Sequence, residues 1–296
     1  MSLNLHLLRL FVTVVRTGSF SRAAEVLRIS QPAISKGVRD FELQVGCRLL
    51  NRFPKGVKPT PEGEALARHA EALFAVERSA EEELNALRGL NSGWLRVGAS
   101  TTIATYMIAP FLGEFHRRHP GIDLQLVSAN TRDIAGMILN HQIEIALVEG
   151  PVEDQALIAE PWQTDRLNLI VSPGHRFAAA AEPIDPGMLA EEILIVREPG
   201  SGTREVVAQA LAAQGIAPVR TLEIGSTEAI KQVVAAGLGV SIVSSAAVAD
   251  QLQLVRIRAV PMRDLHIERT LWQLKIPGRF EVPAARAFEQ LLKSGM

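Results

Sequence analysis

Residues 18–45 read GSFSRAAEVLRISQPAISKGVRDFELQV and describe two short helices separated by a tight break. In the first, Phe20, Ala23, Ala24 and Leu27 fall at i, i+3, i+4 and i+7, a single apolar stripe. Ser19 precedes it as N-cap, where its hydroxyl can accept from an orphan amide of the first turn. In the second, Ile34, Val38, Phe41 and Val45 repeat the stripe. Ser30 takes the cap position, and Pro32 lies in the first turn, where a missing N–H does no harm. The opposite face carries Gln31, Ser35, Lys36 and Arg39, side chains that suit phosphates and base edges and have no evident packing duty. A helix buried on one side and armed this way on the other has the design of one that enters a major groove.

The flanks complete that unit. Residues 5–17 form a first helix capped by Asn4, with Leu7, Leu10, Phe11 and Val14 as its stripe. After Val45, glycine, proline and four cations in GCRLLNRFPKGVKPTPEG interrupt any helix. Two extended pieces around a Lys55-Gly56 turn make a wing, and Arg52, Lys55 and Lys58 on it suit backbone or minor-groove contact. Thr60 then caps a long helix with Pro61 at its first position. It runs to about residue 90, roughly 45 Å. Leu66, Leu73, Ala80 and Leu87 recur at heptad spacing, with Val76 and Leu84 between them, a seam that one helix cannot hide. Pairing with a second copy is expected; packing on its own domain is the alternative. Residues 91–93 read as a hinge.

Charge separates this region from the rest. Residues 1–60 hold ten basic and three acidic residues, a net of +7, whereas the whole chain is −1, so the remainder is −8. A basic head on an acidic body implies a polyanion partner, double-stranded DNA, for the head alone. At 296 residues more than one domain is expected. The single cysteine, Cys47, excludes a disulfide framework or a thiolate metal cluster and reads as packing. Residues 1–20 lack the pattern of a signal peptide, and no apolar run is long enough to span a bilayer. A cytoplasmic protein without a membrane partner is expected.

From Trp94 the texture becomes α/β. Strands are expected at WLRVGAS, IDLQLVS, IEIALVEG, LNLIVSP, EILIVRE, RTLEIG, GVSIVSS and HIERTLWQL. Helices are expected over 103–118 and 131–141, and near 202–214, 227–237, 245–251 and 283–294. Such alternation implies parallel-rich sheets with both faces covered, as one large sheet or as two subdomains.

Two strand-to-helix turns carry the chemistry. Ser100, Thr101 and Thr102 follow one strand; Ser201, Gly202, Thr203 and Arg204 follow another. Helix amides, hydroxyls and a bidentate guanidinium make an anion site, at the strand ends where α/β ligands gather. Ordinary helix capping is the alternative for either turn alone, as it is for Gly225-Ser226-Thr227. Glu149 and Asp165 could be an acid/base pair, but no nucleophile or metal cluster accompanies them. His116 and His119 fit a cationic helix end better than a metal site, and Trp162 and Trp272 read as core or cleft walls. GLGVSIVS lacks the third glycine of a dinucleotide fingerprint. Neither an enzyme nor a cofactor or metal is expected.

Residues 8–42, LRLFVTVVRTGSFSRAAEVLRISQPAISKGVRDFE, and 49–66, LLNRFPKGVKPTPEGEAL, closely resemble the LysR-type transcriptional regulators. The resemblance covers the whole chain. It implies a winged helix-turn-helix over 1–60 and a linker helix and hinge over 61–92. It also implies an effector domain over 93–296 like a type 2 periplasmic binding protein, with subdomains 93–165 plus 267–296 and 166–266. Lys36 stands where arginine is frequent, and LLNR where LF-x-R is frequent. AST, EGP, PWQTDRL, PGSGTRE and GSTEAIKQ look like the branch linked to sulfur assimilation or carbon fixation.

A small anionic effector, an inorganic oxyanion or small carboxylate, is then expected between the subdomains. Ser100, Thr101, Thr102, Ser201, Thr203 and Arg204 would face it, with Thr131, Glu149 and Thr227 around them. Glu149 would pair with Arg204 in an empty cleft or hold solvent. The family resemblance further implies a homodimer or tetramer. A periplasmic solute-binding protein or an α/β enzyme would explain residues 93–296 but not the basic head.

Overall fold

The computed structural model describes residues 3–54, 56–87, 93–152, 154–279 and 281–295, without the side chains of 78, 79, 82, 83 and 85–87. Lys55 of the expected wing turn, the Leu87 side chain and residues 91–92 of the expected hinge lie outside the described residues. The chain divides into two compact units, Met1–Glu81 and Glu82–Met296.

In the first unit, α1 (Leu5–Thr17), α2 (Phe20–Leu27) and α3 (Gln31–Val45) pack around Leu8, Phe11, Val14, Ile34, Val38 and Phe41. Burying each such side chain contributes about 1.5–3 kcal/mol. Asn4 caps α1 through the amides of His6 and Leu7. Gly37 sets the closeness of α3 to α1, because a Cβ there would stand 2.4 Å from Leu10 Cδ1. The turn between α2 and α3 has no glycine, and Arg28 supplies its left-handed residue at φ 54°. Strands β1 (Leu50–Phe53) and β2 (Gly56–Pro59) pair antiparallel as the wing. The Val57 amide donates to the Gly18 carbonyl at 3.0 Å and ties the wing to the turn after α1.

Thr60 caps α4 (Pro61–Leu87) by accepting from the Gly63 amide at 3.0 Å. One face of α4 joins the core of its own unit through Leu66, Ala67, Ala70 and Phe74. The Arg9 guanidinium covers Phe74 at 4.3 Å and pairs with Glu77. Leu66, expected in the seam between copies, therefore packs at home. Leu73, Val76 and Leu84 remain 38%, 63% and 54% exposed, and Ala80 is exposed too. Cys47 is exposed rather than packed, because α3 ends at Val45 and the chain turns outward at Gly46, φ 78°.

The second unit is built on β3 (Gly93–Ser100), β4 (Ile122–Ala129), β5 (Ile145–Glu149), β6 (Ile158–Val171), β7 (Ile193–Val196), β8 (Arg220–Glu223), β9 (Val240–Ser244), β10 (Arg258–Val260) and β11 (Ile267–Lys275). Their order is β4-β3-β5-β11-β6-β9-β7-β8, with β10 beside β6. Parallel β4-β3-β5 anchors one lobe and parallel β9-β7-β8 the other. The long strands β6 and β11 run antiparallel from one lobe into the next. Helices α5 (Thr101–Tyr106), α6 (Ala109–Arg118), α7 (Thr131–Leu139) and α11 (Pro283–Ser294) belong to the first lobe; α8 (Gly202–Ala213), α9 (Thr227–Ala235) and α10 (Ser245–Gln253) belong to the second. Each lobe has its own apolar clusters, around Phe115 and Phe288 in one and Leu189 and Ile230 in the other.

Strand β10 is an addition to the expected elements, and two of those elements differ from the periodicity. The single helix expected over 103–118 is α5 and α6, broken at Met107-Ile108 because Pro110 cannot continue a helix from the preceding turn. Strand β6 begins nine residues before the expected LNLIVSP, in polar IAEPWQTDR. Pro161 is tolerated there because the ladder shifts register opposite Leu271 and Trp272, at a bulge.

Candidate functional site

On the first unit, Ser30, Gln31, Pro32, Lys36 and Arg39 of the α3 region are exposed, as are Arg52 and Lys58 of the wing. Ser30 holds the cap position without a side-chain cap bond. Ser19 does cap α2, accepting from the Arg22 amide at 3.4 Å. Arg39 Nε donates to the Ser35 carbonyl at 3.3 Å, and the Arg52 guanidinium lies 4.6 Å above the Phe20 ring. Ser35, expected on the open face, is only 7% exposed. It flanks Val38 on the helix surface, so the packing that buries the apolar stripe covers it as well.

In the second unit, chain ends converge where the two lobes meet. β3 ends at Ser100, β5 at Glu149, and β7 just before Arg197, so each delivers a polar group at a strand's carboxyl end. Glu149 is buried. Its Oε1 accepts from Thr102 Oγ1 at 3.1 Å and Thr203 Oγ1 at 3.0 Å, one hydroxyl from each lobe. Thr131 Oγ1 donates to the Glu149 carbonyl at 2.8 Å. Gly202 is required here: a Cβ on it would lie 1.6 Å from that same carbonyl oxygen. The lobes meet backbone to backbone.

The cation facing Glu149 is Arg269, not Arg204. Arg269 Nη2 lies 2.9 Å from Glu149 Oε2, while Nε and Nη2 donate to Asp165 Oδ2 at 2.9 and 2.7 Å and Nη1 donates to Thr203 Oγ1 at 2.8 Å. Ser244 Oγ completes Asp165 by donating to Oδ1 at 2.9 Å. The expected Arg204–Glu149 pair fails because Arg204 leans the other way, to Glu223 and to the Arg197 carbonyl, both at 2.8 Å. Glu149 and Asp165 share one arginine.

Arg197 is a second guanidinium that reaches the threonine turns. It is buried, donating to Thr227 Oγ1 at 2.9 Å and Thr101 Oγ1 at 3.3 Å, with Glu198 as its counter-ion. Thr101, Thr227 and Arg197 thus link the lobes a second time. Tyr106 of α5 makes a third link, donating to Glu228 of α9; burial pushes its phenol pKa up, and the Glu228 bond adds to that. Within this network the hydroxyls of Ser100 and Ser201 have no hydrogen-bond partner among the described residues, although both are 1% exposed. They come from opposite lobes. Beside Thr131 and Gly200 a groove of about 660 Å³ opens, lined also by Arg132, Glu205 and Gln209.

Periodicity overlooked Arg197, Arg269 and Tyr106. A signal existed for two of them. Arg197 directly follows the buried run ILIV at a strand's carboxyl end, and Arg269 occupies an inward position between Ile267 and Leu271 of an alternating strand. A charge on the core face of a strand has to be paired. Among the described residues, no group of three or more His, Cys, Asp and Glu is placed to hold a metal ion, and no helix is long and apolar enough to cross a membrane.

Two family models match the chain. One, described as a bacterial regulatory helix-turn-helix protein of the lysR family, matches residues 5–64; the other, a LysR substrate binding domain, matches 88–296. A probable RuBisCO transcriptional regulator of Cyanidioschyzon merolae is 34% identical over 289 residues, covering 96% of this chain and 95% of its own. Full-length OxyR from Pseudomonas aeruginosa, in a single-substitution form, matches with a TM-score of 0.78 at 25% identity, over 99% of this chain and 95% of that one. The Synechocystis CcmR regulatory domain, solved in complex with 2-PG, matches with a TM-score of 0.64 at 29% identity, over 69% and 97%.

Proposed function

The chain belongs to the LysR family of DNA-binding transcriptional regulators, with a helix-turn-helix and an effector-binding domain, and from that premise we propose that its hold on DNA is set by a small anion bound between the two lobes. The observation that carries the proposal is the pair of unpartnered, buried hydroxyls of Ser100 and Ser201. A buried hydroxyl without a partner costs about 1–3 kcal/mol, and a bond to a charged acceptor returns about 1.5–3 kcal/mol. An oxyanion or small carboxylate supplies acceptors to both at once. Ser201 also stands at the N-terminus of the twelve-residue α8, the positive end of its dipole. Thr101, Thr102, Thr131, Glu149, Gly202, Thr203 and Thr227 shape the site, and Arg197 takes the part expected of Arg204. The 2-PG held by the CcmR regulatory domain is a small ligand in a related fold.

Gln31, Lys36 and Arg39, with Ser30 and Pro32 at the start of the helix, read bases and adjacent phosphates. Arg52, Lys55 and Lys58 hold the backbone, and Ser19 and Ser35 support the helix pair from within. The face of α4 bearing Leu73, Ala80 and Leu84 joins a second copy into a homodimer, and pairs of dimers form a tetramer in the cytoplasm. Anion binding favours one arrangement of the lobes over another and so changes the spacing of the recognition helices.

A thermal-shift titration of oxyanions and small carboxylates tests this on wild type and on Ser100→Ala/Ser201→Ala. A ligand at a hundred times its dissociation constant should stabilise the wild type by about 2.7 kcal/mol. The double variant should respond far less. Equal responses in the two proteins would sink the proposal.

A further inference from the structure

Glu149 divides the hydroxyls of the cleft into two kinds. A carboxylate only accepts hydrogen bonds, so Thr102 and Thr203, at 3.1 and 3.0 Å from Oε1, commit their hydrogens to it. Thr203 Oγ1 additionally accepts from Arg269 Nη1. Thr102 Oγ1 is 1% exposed and accepts from no described residue, so its lone pairs are buried without a donor. Among the described residues Glu149 Oε2 has only its ion pair with Arg269 Nη2 at 2.9 Å, a nitrogen that Asp165 shares, so it keeps lone-pair capacity for a further donor. The Ser100 and Ser201 hydroxyls have no such commitment and are free to donate. Donors for an anion and acceptors for a proton therefore lie in the same lining.

Resting on the anion site argued above, we infer that the effector carries a hydrogen-bond donor beside its anionic group. A protonated oxyanion or a hydroxy-carboxylate meets the condition. A fully deprotonated oxyanion or a simple carboxylate does not, because it turns acceptors toward the Thr102 and Glu149 lone pairs. Sites that hydrogen-bond a ligand's hydroxyl reject the analogue lacking it far more strongly than apolar pockets reject a missing methylene.

Two ligand pairs of matched size isolate the effect. Hydrogenphosphate and sulfate are both tetrahedral, but only the first carries a proton at neutral pH; glycolate and acetate differ by one hydroxyl. Calorimetric titration of each into the full chain, at one pH and ionic strength, should favour hydrogenphosphate over sulfate, and glycolate over acetate, by about tenfold or more. Glu149→Gln should narrow both gaps, because the amide donates to one threonine and releases that hydroxyl's hydrogen into the cleft. Thr102→Val, which deletes an acceptor, should narrow them too and serves if the first variant does not fold. Equal affinity within each pair, or gaps unchanged in the variants, overturns the inference and leaves the anion site standing. No response to any of the four ligands overturns both.

Discussion

Arg269 and Asp165 face each other across the two strands that join the lobes, with Nε and Nη2 of the arginine at 2.9 and 2.7 Å from Oδ2 of the aspartate. Both side chains are buried, and Glu149 adds a second carboxylate to the same guanidinium. Removing the cation leaves two buried carboxylates with hydroxyl donors but without a counter-charge. Arg269→Met should therefore lower the unfolding free energy of the second unit by about 3–5 kcal/mol, measured by urea denaturation. A loss under about 1 kcal/mol would mean that the pair is solvated.

Arg197 and Arg204 are seven residues apart and serve different partners. Arg197→Ala should weaken anion binding by about tenfold or more, since a charge-assisted contact contributes about 1.5–3 kcal/mol. Arg204→Ala should leave it within about threefold, because its partners are Glu223 and a backbone carbonyl. Calorimetry on both variants decides between them, and the reverse order would restore Arg204 to the site.

Gly202 has no room for a methyl group beside the Glu149 carbonyl, whereas Gly136, on α7, has nothing within 4 Å of its would-be Cβ. Gly202→Ala should force the lobes apart and abolish the anion response in thermal-shift titration. Gly136→Ala should be neutral, or stabilising by about 0.4–1 kcal/mol.

DNA contacts should separate by kind. Lys36→Ala or Arg39→Ala should cost about 1–3 kcal/mol on the protein's own operator and relax the preference at one position. Losing Lys58 or Arg52 should weaken binding to all sequences alike and reduce the salt dependence by about one phosphate contact. Fluorescence anisotropy with cognate and scrambled duplexes at several salt concentrations reads both effects.

Leu73 and Phe74 are neighbours on α4 with opposite fates, one 38% exposed and the other 5%. Leu73→Glu with Leu84→Glu should yield monomers in sedimentation experiments while the first unit keeps its melting temperature. Phe74→Ala should destabilise that unit by about 3–5 kcal/mol. Dimers that persist in the first variant would move the self-association elsewhere.

Much of the fold was legible because it depends on nearest neighbours along the chain. The stripes Phe20-Ala23-Ala24-Leu27 and Ile34-Val38-Phe41-Val45, the Thr60-Pro61 helix start and the run ILIV are local patterns, and helices and strands formed on them. The two expected elements that differ each involve a proline: Pro110 splits a helix, and Pro161 stands in the first half of β6 at a bulge. The hydroxyls of Ser100, Thr101, Thr102, Ser201 and Thr203 were also legible, since strand-to-helix turns collect at one end of a parallel sheet.

Spacing along one chain segment specified what each element is and which face it buries, because those depend on a period of 3.6 or 2 residues. It could not specify which long side chains meet across the lobes. Arg197, Arg204 and Arg269 offer the same guanidinium, and their partners follow from contacts as distant in sequence as Arg269 with Glu149. An arginine reaches several ångströms from its backbone, so a small difference in where a strand ends redirects it to a different carboxylate. The choice of Arg269 for Glu149, and the orphaned hydroxyls of Ser100 and Ser201, exist only once two lobes close on each other.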